Sequence, residues 1–457
     1  MRRASKGVFL SLLLLLSGLG AYFWLLPLGA GPNLEVRPLT PALTAADRVL
    51  VFAPHPDDET VGAAGFIQTA LAAGARVKVV FFTCGDAFRY AAQRRLRLFK
   101  ITPAGMRAFG QLRQKEALAA LGVLGVPPEA AVFLGFPDRG LAALWQEHWS
   151  AAHPFRSPYT GVTSSPYGVH PVFATTYAGE VLVANVEELI RSEDPTVLIF
   201  PSPHEGHPDH WAASAFVSYA LEDLKRNRGW SGQPQIYTYL VHYTGWPRPW
   251  GANLARNLEP PPPIAPEGIW LRLDLPWAAR VQKYNAILKY QSQVAVMRGF
   301  LTSFARATEL YWAYPPAEVL TAGPGGESPK AVAVDVVGDS IIDRWEKDAD
   351  IVRLDAALDG ENLRFWLRLR GPVSREISYR LEVVALEKGE AGRSRVAVSY
   401  PGPAAPGAGA VPAADSVSYQ VSRRLLGDPA EIFVSAETYQ GRVRADRLPQ
   451  VRIVLHE

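Results

Sequence analysis

The sequence predicts a composite chain: an α/β part built on an open, mostly parallel, Rossmann-like sheet with helices on both faces, then an all-β sandwich, with a membrane helix at the N-terminus. Three observations predict this. Over residues 47–320, short apolar or β-branched runs (Arg48–Phe52, Arg76–Thr83, Thr196–Phe200) alternate with helix-length stretches, the pattern of strand–helix–strand units with right-handed crossovers. After the linker-like TAGPGGESPK (residues 321–330), residues 331–457 change to short alternating runs separated by turn residues, the pattern of a β-sandwich of just over ~100 residues. Arg2, Arg3 and Lys6 precede Val8–Leu28, which carries no charge and spans ~20 residues, enough to cross a bilayer as a helix.

Residues 1–28 are therefore expected to be an uncleaved single-pass anchor in the cell membrane, or a signal sequence if cleaved, with the bulk of the chain exported. Residues 29–46, with several Pro and Thr, read as a linker. Arg48–Phe52 reads as a buried strand, Asp58–Ala73 as a helix closed by Gly74, and Arg76–Thr83 as the next strand. Residues 85–105 interleave Arg89, Arg94, Arg95, Arg97 and Lys100 with Phe88, Tyr90 and Phe99, which suits a solvated, partly helical insertion or a lid beside the site that contacts a sugar or an anionic polymer. Met106–Leu121 reads as a helix, Ala131–Leu134 as a strand, and residues 149–170 as a loop long enough to wall a pocket. Glu180–Ser192 is an amphipathic helix, and Thr196–Phe200 is a strand followed by a helix over Asp209–Lys225. Gln235–His242 and Ile269–Leu275 read as strands, and a helical pattern runs from Trp277 towards Tyr314. In the sandwich, strands are expected at Ile351–Leu354, Leu363–Leu369, Ile377–Val384, Arg395–Tyr400, Ser416–Val421, Glu431–Ala436 and Val451–Leu455.

Composition narrows the function. Hydrophobic residues make up 48% and charged residues 20% of the 457, so a sizeable core is available. A formal charge of +3 gives no broad nucleic-acid footprint. The single cysteine, Cys84, excludes an intrachain disulfide and a Cys-based zinc site, and its apolar run suits burial.

The chemistry is concentrated in two turns. Ala53-Pro54-His55-Pro56-Asp57-Asp58-Glu59 links a strand to a helix, and His204-Glu205-Gly206-His207-Pro208-Asp209-His210 does the same later in the chain. In open α/β sheets ligands bind at that carboxyl edge. A catalytic zinc takes about three His, Asp or Glu ligands and keeps one position open. His55 and Asp58 are three residues apart, as are His207 and His210, so each pair can converge on one point. Helix capping by Asp58 or Asp209 accounts for either turn alone. Two such turns in a chain of nine histidines point to one shared metal ion. A carboxylate left free beside it, such as Asp57, suits a general base. Spacing leaves open which of Asp57 and Asp58, and which of His204, His207 and His210, bind the metal.

Together the two motifs resemble the PIG-L/LmbE family of zinc-dependent N-acetylglucosamine de-N-acetylases, over roughly Val49–Gln293. The resemblance implies Zn²⁺ held by His55, Asp58 and His210, Asp57 as general base, and His207 as oxyanion stabiliser oriented by Asp209. It also implies an amino-sugar substrate, Arg113 in Arg-Gln-Lys-Glu reaching that substrate, and Asp138 in Gly-Phe-Pro-Asp binding sugar hydroxyls. An ion pair on one helix face is the alternative for Arg113 and Glu116. Some members of the family carry a tyrosine two residues before the first histidine of the second motif, where this chain has Glu205. With the N-terminal segment, these features predict a membrane-tethered deacetylase acting on an extracytoplasmic amino-sugar glycan or glycoconjugate. The alternatives are an exported carbohydrate-binding protein with an inactive deacetylase-like domain, and a zinc amidase acting on another acylated amine.

Overall fold

The computed structural model describes residues 36–97, 99–167, 174–261, 269–315, 317–321, 329–335, 347–386, 393–403 and 405–456. The expected anchor at residues 1–28 lies outside the described residues. Among the described residues no helix is long and apolar enough to cross a membrane.

The chain opens with β1 (Val36–Pro38), β2 (Arg48–Ala53), α1 (Asp58–Ala72), β3 (Arg76–Thr83), α2 (Arg89–Leu96), α3 (Pro103–Leu124) and β4 (Ala131–Phe136). It continues through α4 (Leu141–Gln146), α5 (Gly179–Glu193), β5 (Val197–Pro201), α6 (Pro208–Asn227), β6 (Gln235–Tyr239), β7 (Trp270–Asp274), α7 (Trp277–Ile287), α8 (Gln291–Thr302) and β8 (Thr308–Ala313). The strands form one eight-stranded sheet in the order β1-β7-β8-β6-β5-β2-β3-β4. From β4 to β6 every neighbouring pair is parallel; β8 runs antiparallel to both β6 and β7. The expected parallel sheet is thus present, with one reversed strand inside it.

The chain winds outward from β2 in both directions. β3 and β4 build one flank and β5 and β6 the other, so β2 and β5 are neighbours, with Val49 opposite Val197 and Val51 opposite Ile199. Such a reversal leaves a crevice beyond the carboxyl ends of the two central strands. β2 and β5 are buried along almost their whole length because helices cover both faces. One face packs apolar residues of α1, α3, α7 and α8 into a shared core, including Phe66, Leu121, Ile287 and Leu301. The other packs α4, α5 and α6 through Trp145, Ile190 and Phe216. At Gly62 of α1 a Cβ would lie 2.5 Å from the Tyr239 ring, so glycine is what lets this helix press against β6.

The second part comprises β9 (Glu318–Thr321), β10 (Lys330–Val334), β11 (Ile351–Asp359), β12 (Asn362–Leu369), β13 (Ile377–Leu386), β14 (Arg395–Tyr400), β15 (Ala408–Pro412), β16 (Ser416–Ser422), β17 (Glu431–Gln440) and β18 (Val443–His456). They form two five-stranded sheets, β10-β11-β12-β16-β15 and β14-β13-β17-β18-β9, which share one apolar cluster including Phe365, Tyr379, Tyr419 and Ile453. Val384, Leu386 and Phe433 point the other way and join the core of the α/β part.

Three boundaries differ from expectation. The supposed linker 29–46 contributes β1, which pairs parallel to β7; three residues ending in Pro38 carry too little pattern to be read as a strand. β9 lies before the expected boundary yet pairs with β18, so it belongs to the second part. The helical pattern from Trp277 ends at Thr302, and Thr308–Ala313 is a strand buried on both faces, which erases its period of two.

Candidate active site

The two motif turns meet over the β2–β5 boundary. The strand β2 ends at Ala53 and α1 starts at Asp58, so His55 and Asp58 flank one tight turn. The strand β5 ends at Pro201 and α6 starts at Pro208, a residue suited to the first turn of a helix because it needs no amide partner. His210 is thereby placed one turn into α6, fully buried.

Three side-chain atoms converge, although His55 and His210 are 155 residues apart in sequence. The Asp58 Oδ2 atom lies 3.1 Å from His55 Nδ1 and 3.1 Å from His210 Nε2, and those two nitrogens are 3.3 Å apart. Ligands about 2.0–2.1 Å from a tetrahedral zinc are separated by about 3.3 Å, so this triangle has the edge length of such a site. The outward nitrogens complete the fit. His55 Nε2 lies 3.1 Å from Asp209 Oδ2 and 3.3 Å from Asp138 Oδ1. His210 Nδ1 lies 3.3 Å from Glu205 Oε1, an ion-pair contact rather than a well-aligned hydrogen bond. A carboxylate on the outer nitrogen holds the proton there and turns the inner lone pair towards a metal. Other donor atoms crowd the same point: His207 with His55 and His210, and His242 with Asp58 and His210.

Asp57 stands beside this triangle. Its backbone has φ 129°, a conformation that residues with a side chain rarely adopt and that costs of order 1–3 kcal/mol. Its carboxylate accepts a hydrogen bond from Arg113 Nη2 at 3.1 Å. Burial pushes Asp57 up to about 7, with Arg113 opposing the rise and the Asp58 charge adding to it. That places the carboxylate near neutrality, where a general base works best. His207 Nδ1 accepts from the Asp209 backbone N–H at 3.2 Å, which leaves Nε2 as the protonated nitrogen of the neutral ring. Burial, then the neighbouring His55 and His210, hold His207 well below its ordinary value, so it remains neutral.

These groups open into a cavity of about 240 Å³ lined by His55, Asp57, Asp58, Phe88, Arg113, Asp138, Arg139, His207, Val241, His242, Gln293, Met297, Phe300 and Leu301. Six of the eight residues singled out in the sequence line this cavity, and Asp209 and His210 touch His55 behind them. Arg113 does not pair with Glu116. It binds Asp57 and the Gly85 carbonyl, while Glu116 accepts from Ser292. Asp209 does not orient the His207 ring through its carboxylate. That carboxylate faces His55 and accepts from the Arg139 and Leu141 amides. Asp138 accepts from the Ala87 amide at 2.6 Å, leans on His55, and also lines the cavity.

His204 is removed from the metal set: its ring stacks on Trp312 with centroids 4.5 Å apart. Of residues 85–105, Phe88 reaches the cavity wall, whereas Tyr90 and Phe99 are exposed. The loop 149–167 does not line the cavity, and Tyr167 donates to Asp86 behind it; His170 lies outside the described residues. The sequence reading missed Met297, Phe300 and Gln293 on α8, whose helical spacing resembled core, and it left Glu205 without a role.

Fold and site define an α/β protein with a buried His/Asp/His cluster and a neutral-range carboxylate at a topological switch point. Residues 50–221 match the family described as PIG-L, GlcNAc-PI de-N-acetylase, and the chain contains a PIG-L family domain there. Curated relatives include the 1D-myo-inositol 2-acetamido-2-deoxy-alpha-D-glucopyranoside deacetylase of Corynebacterium glutamicum, 27% identical over 206 residues, covering 45% of this chain and 63% of the relative. The protein of the same description from Mycobacterium sp. (strain KMS) is 27% identical over 271 residues, covering 57% of this chain and 75% of the relative. Solved structures with a partial likeness include the N,N'-diacetylchitobiose deacetylase of Pyrococcus horikoshii (20% identity, 59% of this chain and 84% of that one, TM-score 0.35). Another is a zinc-inhibited form of a teicoplanin deacetylase (18% identity, 58% and 97%, TM-score 0.36).

These findings correct one expectation. The described residues hold no helix able to cross a membrane, and the matched relatives are named for a small inositol-linked amino sugar rather than for an envelope glycan. The single-pass membrane placement with an exported catalytic domain is therefore withdrawn, and membrane association has no support among the described residues.

Proposed function

We propose that this protein is a metal-dependent hydrolase that removes the N-acetyl group from a GlcNAc-type amino sugar or its conjugate. The observation that carries the reading is the 3.1–3.3 Å triangle of His55, Asp58 and His210 donor atoms with Asp57 beside it at about 7. The family match and the relatives' names support the substrate class, since each names an N-acetylated amino sugar or its deacetylase.

His55 Nδ1, Asp58 Oδ2 and His210 Nε2 would hold the ion, and two nitrogens with one carboxylate suit zinc. Bound there, the ion supplies Lewis-acid polarisation of an amide carbonyl and acidifies a water. The remaining work falls to side chains. Asp57 accepts a proton from the attacking water as its oxygen bonds to the acyl carbon. His207 donates its Nε2–H to the oxygen that gains negative charge. As the C–N bond breaks, the proton held by Asp57 passes to the departing nitrogen, giving acetate and a free amino sugar. Arg113 fixes the Asp57 carboxylate from behind, and Met297, Phe300 and Leu301 present an apolar wall to the substrate.

Asp57→Asn tests the reading. Zinc stoichiometry should be kept and acetate release from N-acetylglucosamine derivatives should fall by about 100-fold or more. A variant with undiminished turnover would remove Asp57 from the reaction, and a wild-type protein that takes up no metal would end the metal reading.

A further inference from the structure

The second part of the chain reaches into the turn that carries the second motif. Arg447 on β18 donates from Nη1 to the Pro203 carbonyl at 3.1 Å, and its guanidinium lies 4.2 Å from the centroid of the Trp211 ring. Arg444, three residues earlier, donates from Nη2 to the Gly206 carbonyl at 3.0 Å. Both arginines face Glu437 on β17, at 3.6 Å from Arg444 and 3.9 Å from Arg447. Glu437 is buried and also accepts from Gln146 and Tyr439.

The opposite side of the turn is held by the α/β part. The Gly206 amide donates to the His242 carbonyl at 2.7 Å, and the Glu205 carboxylate accepts the Val241 and His242 amides. At Gly206 a Cβ would lie 2.9 Å from the His242 carbonyl oxygen, so the turn has no room to shift towards that side. Carbonyls of an irregular turn have no ladder partner and need donors from elsewhere. Here two of them are met by guanidinium groups 244 and 238 residues further along the chain. His207 follows Gly206 directly, and His210 and Trp211 lie in the first turn of α6. The arginine-bonded carbonyls and the arginine-covered ring therefore bracket the catalytic histidines on both sides.

We infer that the C-terminal β region is a working part of the hydrolytic site, with Arg447 and Arg444 as positioning residues that fix the His207–His210 turn. This rests on the metal-hydrolase reading above, in which that turn supplies a ligand and the oxyanion donor. It gives the β region a role that requires no ligand of its own. A further contact at the same interface serves as control: Arg226, at the far end of α6, pairs with Glu431 on β17 at 2.6 Å and touches nothing in the turn.

The test compares Arg447→Met, Arg444→Met and Arg226→Met in the full chain. Two readouts are used: amide hydrogen exchange over residues 202–211 of the metal-free protein, and zinc affinity by competition with a chromophoric chelator. Arg447→Met should speed exchange at Glu205–His207 by about 10-fold or more and weaken zinc by about 10-fold, in the range seen when groups supporting a ligand are lost. Arg444→Met should do the same to a smaller degree. Arg226→Met should lower the melting temperature and leave both readouts as in wild type. The inference is overturned if folded Arg447→Met matches wild type in both, or if Arg226→Met moves them equally. Should Arg447→Met not fold, Arg444→Met decides in the same way. Exchange in the metal-free chain judges the positioning role even if wild type binds no zinc, so the two failures are separable.

Discussion

Glu205 faces His210 across 3.3 Å, carboxylate oxygen to Nδ1, while its two oxygens accept the Val241 and His242 amides at 2.6 and 2.7 Å. The carboxylate is thus pinned by backbone from another loop and faces the outer nitrogen of His210, the proposed metal ligand. Glu205→Gln removes that charge and turns an amide group towards one of the two backbone donors. Zinc affinity of the folded variant should fall by about 10–100-fold, measured by chelator competition. Unchanged affinity would show that His210 needs no such support.

Arg113 has a parallel relationship to Asp57. The guanidinium opposes the effect of burial on this carboxylate. Removing its charge raises the Asp57 pKa further above about 7. A general base works in its deprotonated form, so the acid limb of the kcat/KM profile should move to higher pH in Arg113→Met and stay near its wild-type place in Arg113→Lys. Because Arg113 also lines the cavity, the position of the limb and not the absolute rate is the measurement. A limb that does not move in Arg113→Met would disconnect the two residues.

Away from the site, burial and then the neighbouring Asp223 push Glu187 on α5 up to about 8. The folded state therefore binds a proton that the unfolded chain has already released. The resulting stabilisation is fully present below the ordinary glutamate value of about 4.5 and is lost as pH rises towards about 8. Glu187→Gln keeps the neutral form at every pH, so the fall in urea midpoint between about pH 5 and pH 8 should be shallower than in wild type. Equal slopes would mean that Glu187 does not carry this proton.

Much of the site was legible because its geometry is local. His55, Asp57 and Asp58 sit on one strand-to-helix turn, and His207 and His210 on another, so residue spacing alone implied convergence. The order of the sheet then made the turns neighbours through β2 and β5. What escaped was set by long-range contact. Glu205 is defined by amides of residues 241 and 242, and Arg113 binds a carboxylate 56 positions earlier rather than Glu116 on its own helix. Asp209 likewise satisfies His55, 154 residues away, instead of its sequence neighbour His207. In the fold, β1 and β9 were hidden for a related reason. Strands of three and four residues are specified by the partner strand they join and not by any period of their own.

The left-side backbone angle at Asp57 has a consequence for anyone engineering this chain. A glycine there would adopt φ 129° without steric penalty, but it would leave the buried Arg113 guanidinium without its carboxylate partner. Relief of the backbone and loss of the ion pair therefore oppose one another at position 57, while the proposed mechanism needs the carboxylate. A screen scored by soluble yield after heating reads only the balance of those two terms and is blind to the proposed role of the carboxylate, so position 57 is best held constant in any such library.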